Sequence, residues 1–410
     1  MDPPTPVATR FVALDVHRHS ITVAAVDARQ TVVLKPRRLA LPDFARWCRQ
    51  QLTPADAVVL EATTNAWHLY DQVAPLVAAV TVCHPLMVKL ISAARVKTDP
   101  RDALNLARLL AAGLVPAVWV PPAEVRELRA LVSHRQRLVR QRTQARNRLH
   151  SVLHRHNLVG PAGKPFAAAQ RAWWTGLALV PSEQLRVRQD LAILDSLAPL
   201  LAEVEEELAR LSAAEPWASQ AAFLVQLPGF GVLNAMVVLA AIGDITRFPT
   251  AAKLVGYAGL GASVAASGPT HRTGGITKQG RRELRAVLVE AAWVAVQTHP
   301  YWQAAFARLE VRIGRNKAIV AIARKLLVAI WHVLTARVAD RHAHPDKVAL
   351  KMLTWAWKIG ADQRGGLTPG QFVRQELTRL RLGTELEQVT RSGRRLRIPP
   401  PAGPPALVAT

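Results

Sequence analysis

The sequence predicts a mixed α/β domain at the N-terminus, a long helical middle and a mainly helical C-terminal domain. Three observations predict it. Short apolar segments joined by hairpin-length gaps fill residues 11–39, and strand and helix patterns then alternate to residue 112. Apolar residues next recur at helical spacing over 124–157 and again over 182–213. Beyond Gln220, glycine-marked turns separate further helices rich in alanine and leucine.

Within the first domain, 11–17, 20–27 and 31–39 read as an antiparallel meander. Segment 42–51 reads as a helix, 57–62 as a strand, 66–76 as a helix and 80–83 as a strand. Helices over 86–94 and 100–112 complete it. Three hairpin-linked strands followed by alternating strands and helices make the ribonuclease-H-like plan, with Asp15 in its central strand. The expected organisation is a disordered lead at 1–9, this α/β domain at 10–118, and a basic helix with a coiled-coil region at 119–215. A C-terminal domain at 216–337, a helical extension at 338–392 and a disordered basic, proline-rich tail at 393–410 follow.

Composition bounds the function. The chain has 410 residues, enough for two or three domains, and half of it is apolar, enough for sizeable cores. Against 53 lysines and arginines stand only 29 acids, a formal charge of +24. That balance predicts a polyanionic partner whose affinity weakens steeply with salt. A membrane is not expected to be that partner, since no uncharged apolar run reaches about eighteen residues. The N-terminus lacks the pattern of a secretory leader, and two cysteines, Cys48 and Cys83, make neither a metal motif nor a disulfide framework. A reducing cytosol is the expected compartment. The 13 histidines are scattered, without the spacing of a zinc site.

In so basic a chain, four acids stand out. Asp15 lies inside the apolar run Phe11-Val12-Ala13-Leu14-Asp15-Val16-His17, where an unpaired charge is costly. Glu61 ends the apolar strand Ala57-Val58-Val59-Leu60-Glu61. Asp99 and Asp102 stand three apart in Lys97-Thr98-Asp99-Pro100-Arg101-Asp102-Ala103. Proline starts a helix well, which makes Asp99 the expected N-cap, and residues three apart share a helix face. Two carboxylates on one face repel unless a cation lies between them. A hard divalent ion such as Mg²⁺ takes oxygen ligands and suits the set. The plain alternative is that each acid merely caps or ends its own element.

Three further features point to phosphate. The helix over 124–157 is dense in arginine, and Arg137, Arg140, Arg146 and Arg148 are expected to contact phosphates rather than only to solvate a structural face. Leu227-Pro228-Gly229-Phe230-Gly231-Val232 before an alanine-rich helix has the form of a helix–hairpin–helix turn, in which Gly229 and Gly231 let backbone approach a phosphate. A glycine turn between two packed helices looks similar. A loop with Ser263, Ser267, Gly268, Thr270, Thr273, Gly274, Gly275 and Thr277 then runs into Lys278, Arg281 and Arg282, a set suited to a close-approaching phosphodiester. An ordinary surface loop is the competing reading. The stretch over 182–213 is acidic, with Glu203, Glu205, Glu206 and Glu207, and Pro199 is expected to interrupt or kink it. Together with the basic helix it reads as an antiparallel coiled-coil arm, or an intramolecular helical hairpin.

These residues resemble the insertion-sequence transposases of the "one-ten" family, the DEDD transposases that act as bridge-RNA-guided recombinases. The resemblance spans roughly residues 10–335 and rests on Leu14-Asp15-Val16-His17, Glu61 and Lys-Thr-Asp-x-x-Asp-Ala at 97–103. It rests also on Leu-Pro-Gly-Phe-Gly at 227–231, Leu254-Val255-Gly256-Tyr257-Ala258-Gly259-Leu260, Ser267-Gly268 and Gly275-Ile276-Thr277-Lys278-Gln279-Gly280. It implies a RuvC-like nuclease domain, a coiled-coil region and a transposase domain with a nucleophilic serine. Asp15, Glu61, Asp99 and Asp102 match the family's metal ligands, for one or two Mg²⁺ ions, and Ser267 matches its serine. Double-stranded DNA at element ends and target, a non-coding guide RNA and a homo-oligomer, dimer or tetramer, are the implied partners. Two departures are visible: Ser263 lies four residues before Ser267, and Arg281 follows Gly280 where the family often has asparagine.

The expected activity is therefore Mg²⁺-dependent DNA strand cleavage and exchange through a covalent phosphoserine, at a composite site to which one domain brings acids and another the serine. Three alternatives stand beside it. One is a RuvC-like metal-dependent junction resolvase or nuclease, using water. Another is a non-catalytic nucleic-acid-binding protein, which leaves the four acids unexplained. The third, an actin-like sugar kinase, does not suit the charge or the serine loop.

Overall fold

The computed structural model describes residues 8–91, 98–267 and 270–401. The lead up to Val7, Lys97 of the acid motif, Gly268 and the tail beyond Pro401 lie outside the described residues. The chain divides into two units, residues 1–122 and 123–410.

The first unit is a five-stranded mixed sheet with helices. Its strands are β1 (Arg10–Val16), β2 (Ser20–Asp27) and β3 (Val32–Ala40), then β4 (Asp56–Glu61) and β5 (Ala79–Cys83). Between and after them come α1 (Leu41–Gln51), α2 (Ala66–Val73), α3 (Pro85–Ile91) and α4 (Asp99–Ala111). The sheet order is β3-β2-β1-β4-β5. The meander pairs antiparallel, whereas β1–β4 and β4–β5 pair parallel. Period-two alternation splits the core. Val12, Leu14, Val58 and Leu60 face Phe44 and Trp47 of α1 and Leu69 of α2, while Ala13, Val26 and Val59 face Leu106 and Ala107 of α4. One expected detail is corrected: Thr98, in extended backbone, is the N-cap of α4, so Asp99 is its first helical residue and Pro100 its second.

The second unit is mainly helical. It opens with α5 (Ala123–Arg155), α6 (Arg171–Thr175) and α7 (Pro181–Ser212). Helices α5 and α7 run antiparallel, since Arg135 pairs with Glu205, Arg148 with Asp190 and Arg155 with Glu183. Helix α7 continues through Pro199, against the expected break: leucines 191, 194, 197 and 201 keep one buried stripe across it. Next come α8 (Ala218–Val225), α9 (Val232–Ile242) and α10 (Ala251–Tyr257), followed by β6 (Ala262–Ser267) and β7 (Thr270–Ile276). After them come α11 (Arg282–Thr298), α12 (Pro300–Ile313) and α13 (Arg315–Ala336). By length and composition α13 has the apolarity of a membrane span, but half of its apolar window is buried, as befits a core helix.

The last stretch is α14 (Pro345–Gln363), broken at Gly360, then α15 (Pro369–Arg379), β8 (Gln388–Arg391) and β9 (Arg394–Arg397). The expected anchors divide: the Trp355 and Phe372 rings meet edge to face at 5.1 Å in the core, whereas Trp357 is half exposed under Arg391. The basic stretch from Gly393, expected to be disordered, forms a β-hairpin with β8. Arg374 explains this: its guanidinium donates to the carbonyls of Gly383, Leu386 and Pro399 and ties that segment down.

Candidate active site

Alternation along two parallel strands places the acids of the first unit. Leu14 lies opposite Leu60 in register. Ala13 and Val59 face α4, so Asp15 and Glu61, two residues further on, continue that face at the carboxyl ends of their strands. Helix α4 packs onto the same face through Leu106, and Asp99, Asp102 and Leu106 fall on one helical stripe. Nε2 of His17 stands 3.1 Å from Oδ2 of Asp15 and 3.4 Å from Oδ1 of Asp99. The ligating atoms of these three residues all lie within 4.8 Å of one another.

Electrostatics marks the cluster. Burial raises the Asp15 carboxyl above its ordinary value, His17 opposes the rise, and the charges of Asp99 and Asp102 add to it. Glu61 is half-buried and in register with Cys83. Burial, with the charge of Glu61 adding, pushes the Cys83 thiol up to about 12, so this cysteine is inert. Asp56 shows the contrasting, structural kind of acid: it is fully buried, accepts two bonds from Arg10 at 2.6 and 2.7 Å, and takes the Thr53 amide.

His17 is the residue that sequence reasoning missed as a member of the site. The signal was present, since two residues past Asp15 is the same side of an extended chain. As a donor set, carboxylates with one imidazole fit a divalent cation, and crowded acids that raise one another fit it further.

The serine segment is a two-stranded hairpin rather than a loop. Ser267 is exposed and pairs with Thr270 at the closed end. Ala262 pairs with Ile276 at the open end, where the Thr277 and Lys278 amides donate to Gly261 and Gly259. Gly259 and Gly280 are both at positive φ, and a Cβ on either would stand 1.9 Å from a backbone oxygen, so glycine is required for this close crossing. Five extended residues separate the two ends, about 17 Å. Lys278, Arg281 and Arg282 thus lie at the base and not beside Ser267, which corrects the expected arrangement. Arg281 donates to the Tyr257 hydroxyl, which itself donates to Ala241 at the end of α9. Ser263, near the base, donates to Gly275. The cation on Ser267's own face of the hairpin is Arg272: it pairs with Ala265, in the same parity as the Ser267–Thr270 pair. Sequence reasoning passed over it because only register reveals the neighbour.

The other predicted phosphate contacts divide. Gly229, at φ +79°, has its α-carbon against the backbone of Ala291 in α11, where a Cβ would meet atoms at 2.4 Å. Packing alone therefore accounts for this glycine. Gly231 has open space around it and is the N-cap of α9. On α5, Arg137, Arg140 and Arg146 are exposed. Arg148 is committed to Asp190 through two bonds at 2.8 and 2.6 Å, and so serves helix pairing instead of an expected phosphate contact.

Comparisons with known proteins bear on both segments. Residues 12–158 match a DEDD family described as Transposase, and residues 221–307 match the Transposase IS116/IS110/IS902 family. A putative transposase of Sinorhizobium fredii is 27% identical over 305 residues, 74% of this chain and 75% of that protein. The transposase for an IS1111A element of Coxiella burnetii is 27% identical over 69% of this chain and 79% of its own length. The pilin gene-inverting protein of Moraxella bovis is 27% identical over 70% and 83%. The first match spans the acid cluster and the second the glycine turn and hairpin, so that both segments and these relatives make this chain a DEDD transposase of the IS110 family.

Proposed function

We propose that this transposase exchanges DNA strands through a covalent phosphoserine at Ser267, supported by a divalent-cation site at Asp15, Glu61, Asp99 and Asp102. The observation that carries the reading is the meeting of Asp15, His17 and Asp99 on the α4 face of the sheet. Its strand order and directions suit a ribonuclease-H-like fold of the RuvC type. Mg²⁺ bound by these carboxylates would supply charge stabilisation to a reacting phosphodiester. His17 holds Asp15 and Asp99 together and is a fifth candidate ligand.

The protein's own groups do the rest. The Ser267 Oγ attacks phosphorus, its proton passes to solvent or a neighbouring base, and the bond to the leaving strand's oxygen breaks. A phosphoserine ester and a free strand end result. A second strand end then attacks the same phosphorus and releases the serine, so no external energy source is needed. Arg272, on the serine's face of the hairpin, is placed to offset charge on the phosphate. The reading requires both sets of groups to serve one strand exchange.

DNA at element ends and target is the substrate, a non-coding guide RNA the proposed source of sequence choice, and a homo-oligomer, built in part through the α5–α7 arm as a coiled coil, the working form. The bacterial cytosol is the compartment that this substrate implies. The test is a trapped complex: labelled DNA is incubated with protein and Mg²⁺, denatured and digested, and the nucleotide adduct located by mass. An adduct on Ser267, absent in Ser267→Ala with DNA binding retained, is expected. An adduct on Ser263 moves the nucleophile, and cleavage by Ser267→Ala without any wild-type adduct makes water the nucleophile.

A further inference from the structure

A cavity of about 470 Å³ in the second unit lies between the glycine turn before α9, the end of α11 and one face of α14. Its size is in the range of sites for small organic ligands. Two chemistries line it. One wall is apolar, from Val225, Val294, Val348 and Trp355. Among the rest, beside neutral residues such as Gln226, Thr298 and Thr354, stand groups that are cationic or able to become so: Lys347, Lys351, Lys358, His299, His342 and His344. Asp340 is the acid among its described lining residues, and its carboxylate already accepts the His342 amide at 3.0 Å.

Three features bring incompletely satisfied polar groups to the lining of this space. Gly231 and Val232 line it, and they begin α9, whose N-cap provides no side-chain acceptor for the free amides of its first turn. His299 is only 8% exposed, and while its Nε2 meets the His342 carbonyl at 2.9 Å, its Nδ1 has no partner among the described residues. A bond to a carbonyl makes Nε2 the donor, so Nδ1 is left to accept in the neutral ring or donate in the charged one. Lys351 donates to the Leu227 carbonyl, which engages one of its three hydrogens. Burial pulls its ammonium down to about 7, so it lacks the solvation or counter-charge that an anion would restore.

We infer that this cavity binds a single unstacked nucleotide, its phosphate held by Lys347, Lys351 and the first turn of α9, and its base against the apolar wall. An apolar slot joined to a cationic, amide-rich end matches that ligand's two halves. A formal charge of +24 on the chain favours a nucleic-acid source for it over a neutral metabolite. The inference goes beyond the recombinase reading and does not depend on the Ser267 adduct.

The test uses the full-length protein and titrates it calorimetrically with thymidine 5′-monophosphate, thymidine and inorganic phosphate. The monophosphate is expected to bind once per chain and more tightly than either part. Lys351→Met, which removes a poorly solvated charge, is expected to weaken the monophosphate about tenfold and leave thymidine unchanged. Val294→Trp is expected to block both; Val294 is 42% exposed, so the fold tolerates the larger ring. Both variants are first checked by circular dichroism and melting. A 5′-phosphorylated oligothymidylate that displaces the monophosphate at lower concentration than unlabelled monophosphate identifies a strand as the source, and failure to displace it identifies a free nucleotide. Absence of monophosphate binding at millimolar concentration, or wild-type binding by Val294→Trp, overturns the inference. Because the cavity does not involve Ser267, monophosphate binding reports on this inference alone and the Ser267 adduct on the recombinase reading alone, so that either can fail while the other stands.

Discussion

Asp15 is opposed in its charge by burial and by two neighbouring aspartates, and relieved by His17. That balance makes it the residue through which a divalent cation should most affect the first unit. Ligand that binds only the folded state raises melting temperature by mass action. Wild-type protein is therefore expected to melt at higher temperature as Mg²⁺ is added, and Asp15→Asn to lose that rise while keeping its metal-free stability. Equal rises in both proteins would remove Asp15 from the metal site. In the second unit, Arg272 and Arg281 compete as the cation that serves the serine. Arg272→Ala is expected to slow adduct formation about 10²-fold, the scale of losing one donor to a developing charge. Arg281→Ala, at the hairpin base and bonded to Tyr257, is expected to lower stability with a smaller effect on that rate. The reverse order, measured by single-turnover trapping, would return the phosphate to the base of the hairpin.

At the scale of elements, α5 divides its arginines between two tasks. Arg135, Arg148 and Arg155 hold α7 through Glu205, Asp190 and Glu183. Arg137, Arg140 and Arg146 are exposed instead, Arg137 beside His134 and Arg146 over the Phe166 ring, and their charges remain available to phosphate. Replacing all three by alanine is expected to flatten the log–log salt dependence of nucleic-acid binding by about three units, one for each phosphate no longer neutralised. Arg148→Ala is expected to leave that slope alone and to cost about 1–3 kcal/mol of stability, because it leaves the buried Asp190 carboxylate without its partner. A slope that responds to Arg148 but not to the other three would reverse the assignment.

Over the whole molecule, each unit carries its own core, and in the second Glu376 and Lys351 are shifted by desolvation far enough for their titration to report on folding. Burial raises the Glu376 carboxyl from 4.5 to about 7, with Arg379 opposing and Glu215 adding. The folded chain thus holds a proton between those values that the unfolded chain releases. Stability from this group is full at low pH and falls as pH rises toward 7. Lys351 acts in another window: its folded value of about 7 lies below 10.5, so its penalty is relieved only as pH rises above 7. Glu376→Gln is accordingly expected to abolish the fall in melting temperature between pH 5 and pH 7 and to melt above wild type at pH 8. Parallel melting curves across that range would show that Glu376 is solvated or paired in solution.

Much of the first unit was legible in the sequence, because strands 11–17 and 57–62 are apolar runs interrupted by one acid each, and helix 100–112 announces itself by Pro100 and an amphipathic stripe. Local chemistry determined these: chain alternation, helix period and the cost of burying a charge all act within a few residues. The long arm helices were legible for the same reason, and the membership in the transposase family followed from motif order along the chain. What only the tertiary structure decided depends on neighbours remote in sequence. His17 joins the acids because α4 returns across the sheet to bring Asp99 within 3.4 Å of it. Gly229 serves packing because Ala291, far along the chain, lies against it. Ser267 stands away from Lys278 and on the face of Arg272 because strand register, and not distance along the chain, sets which side chains meet. The segment up to Pro399 is held by Arg374, which joins the Pro399 carbonyl to those of Gly383 and Leu386, contacts that no local pattern reveals. Periodicity is a property of one segment, whereas a site is a property of several, and their meeting is governed by packing that a linear pattern does not encode.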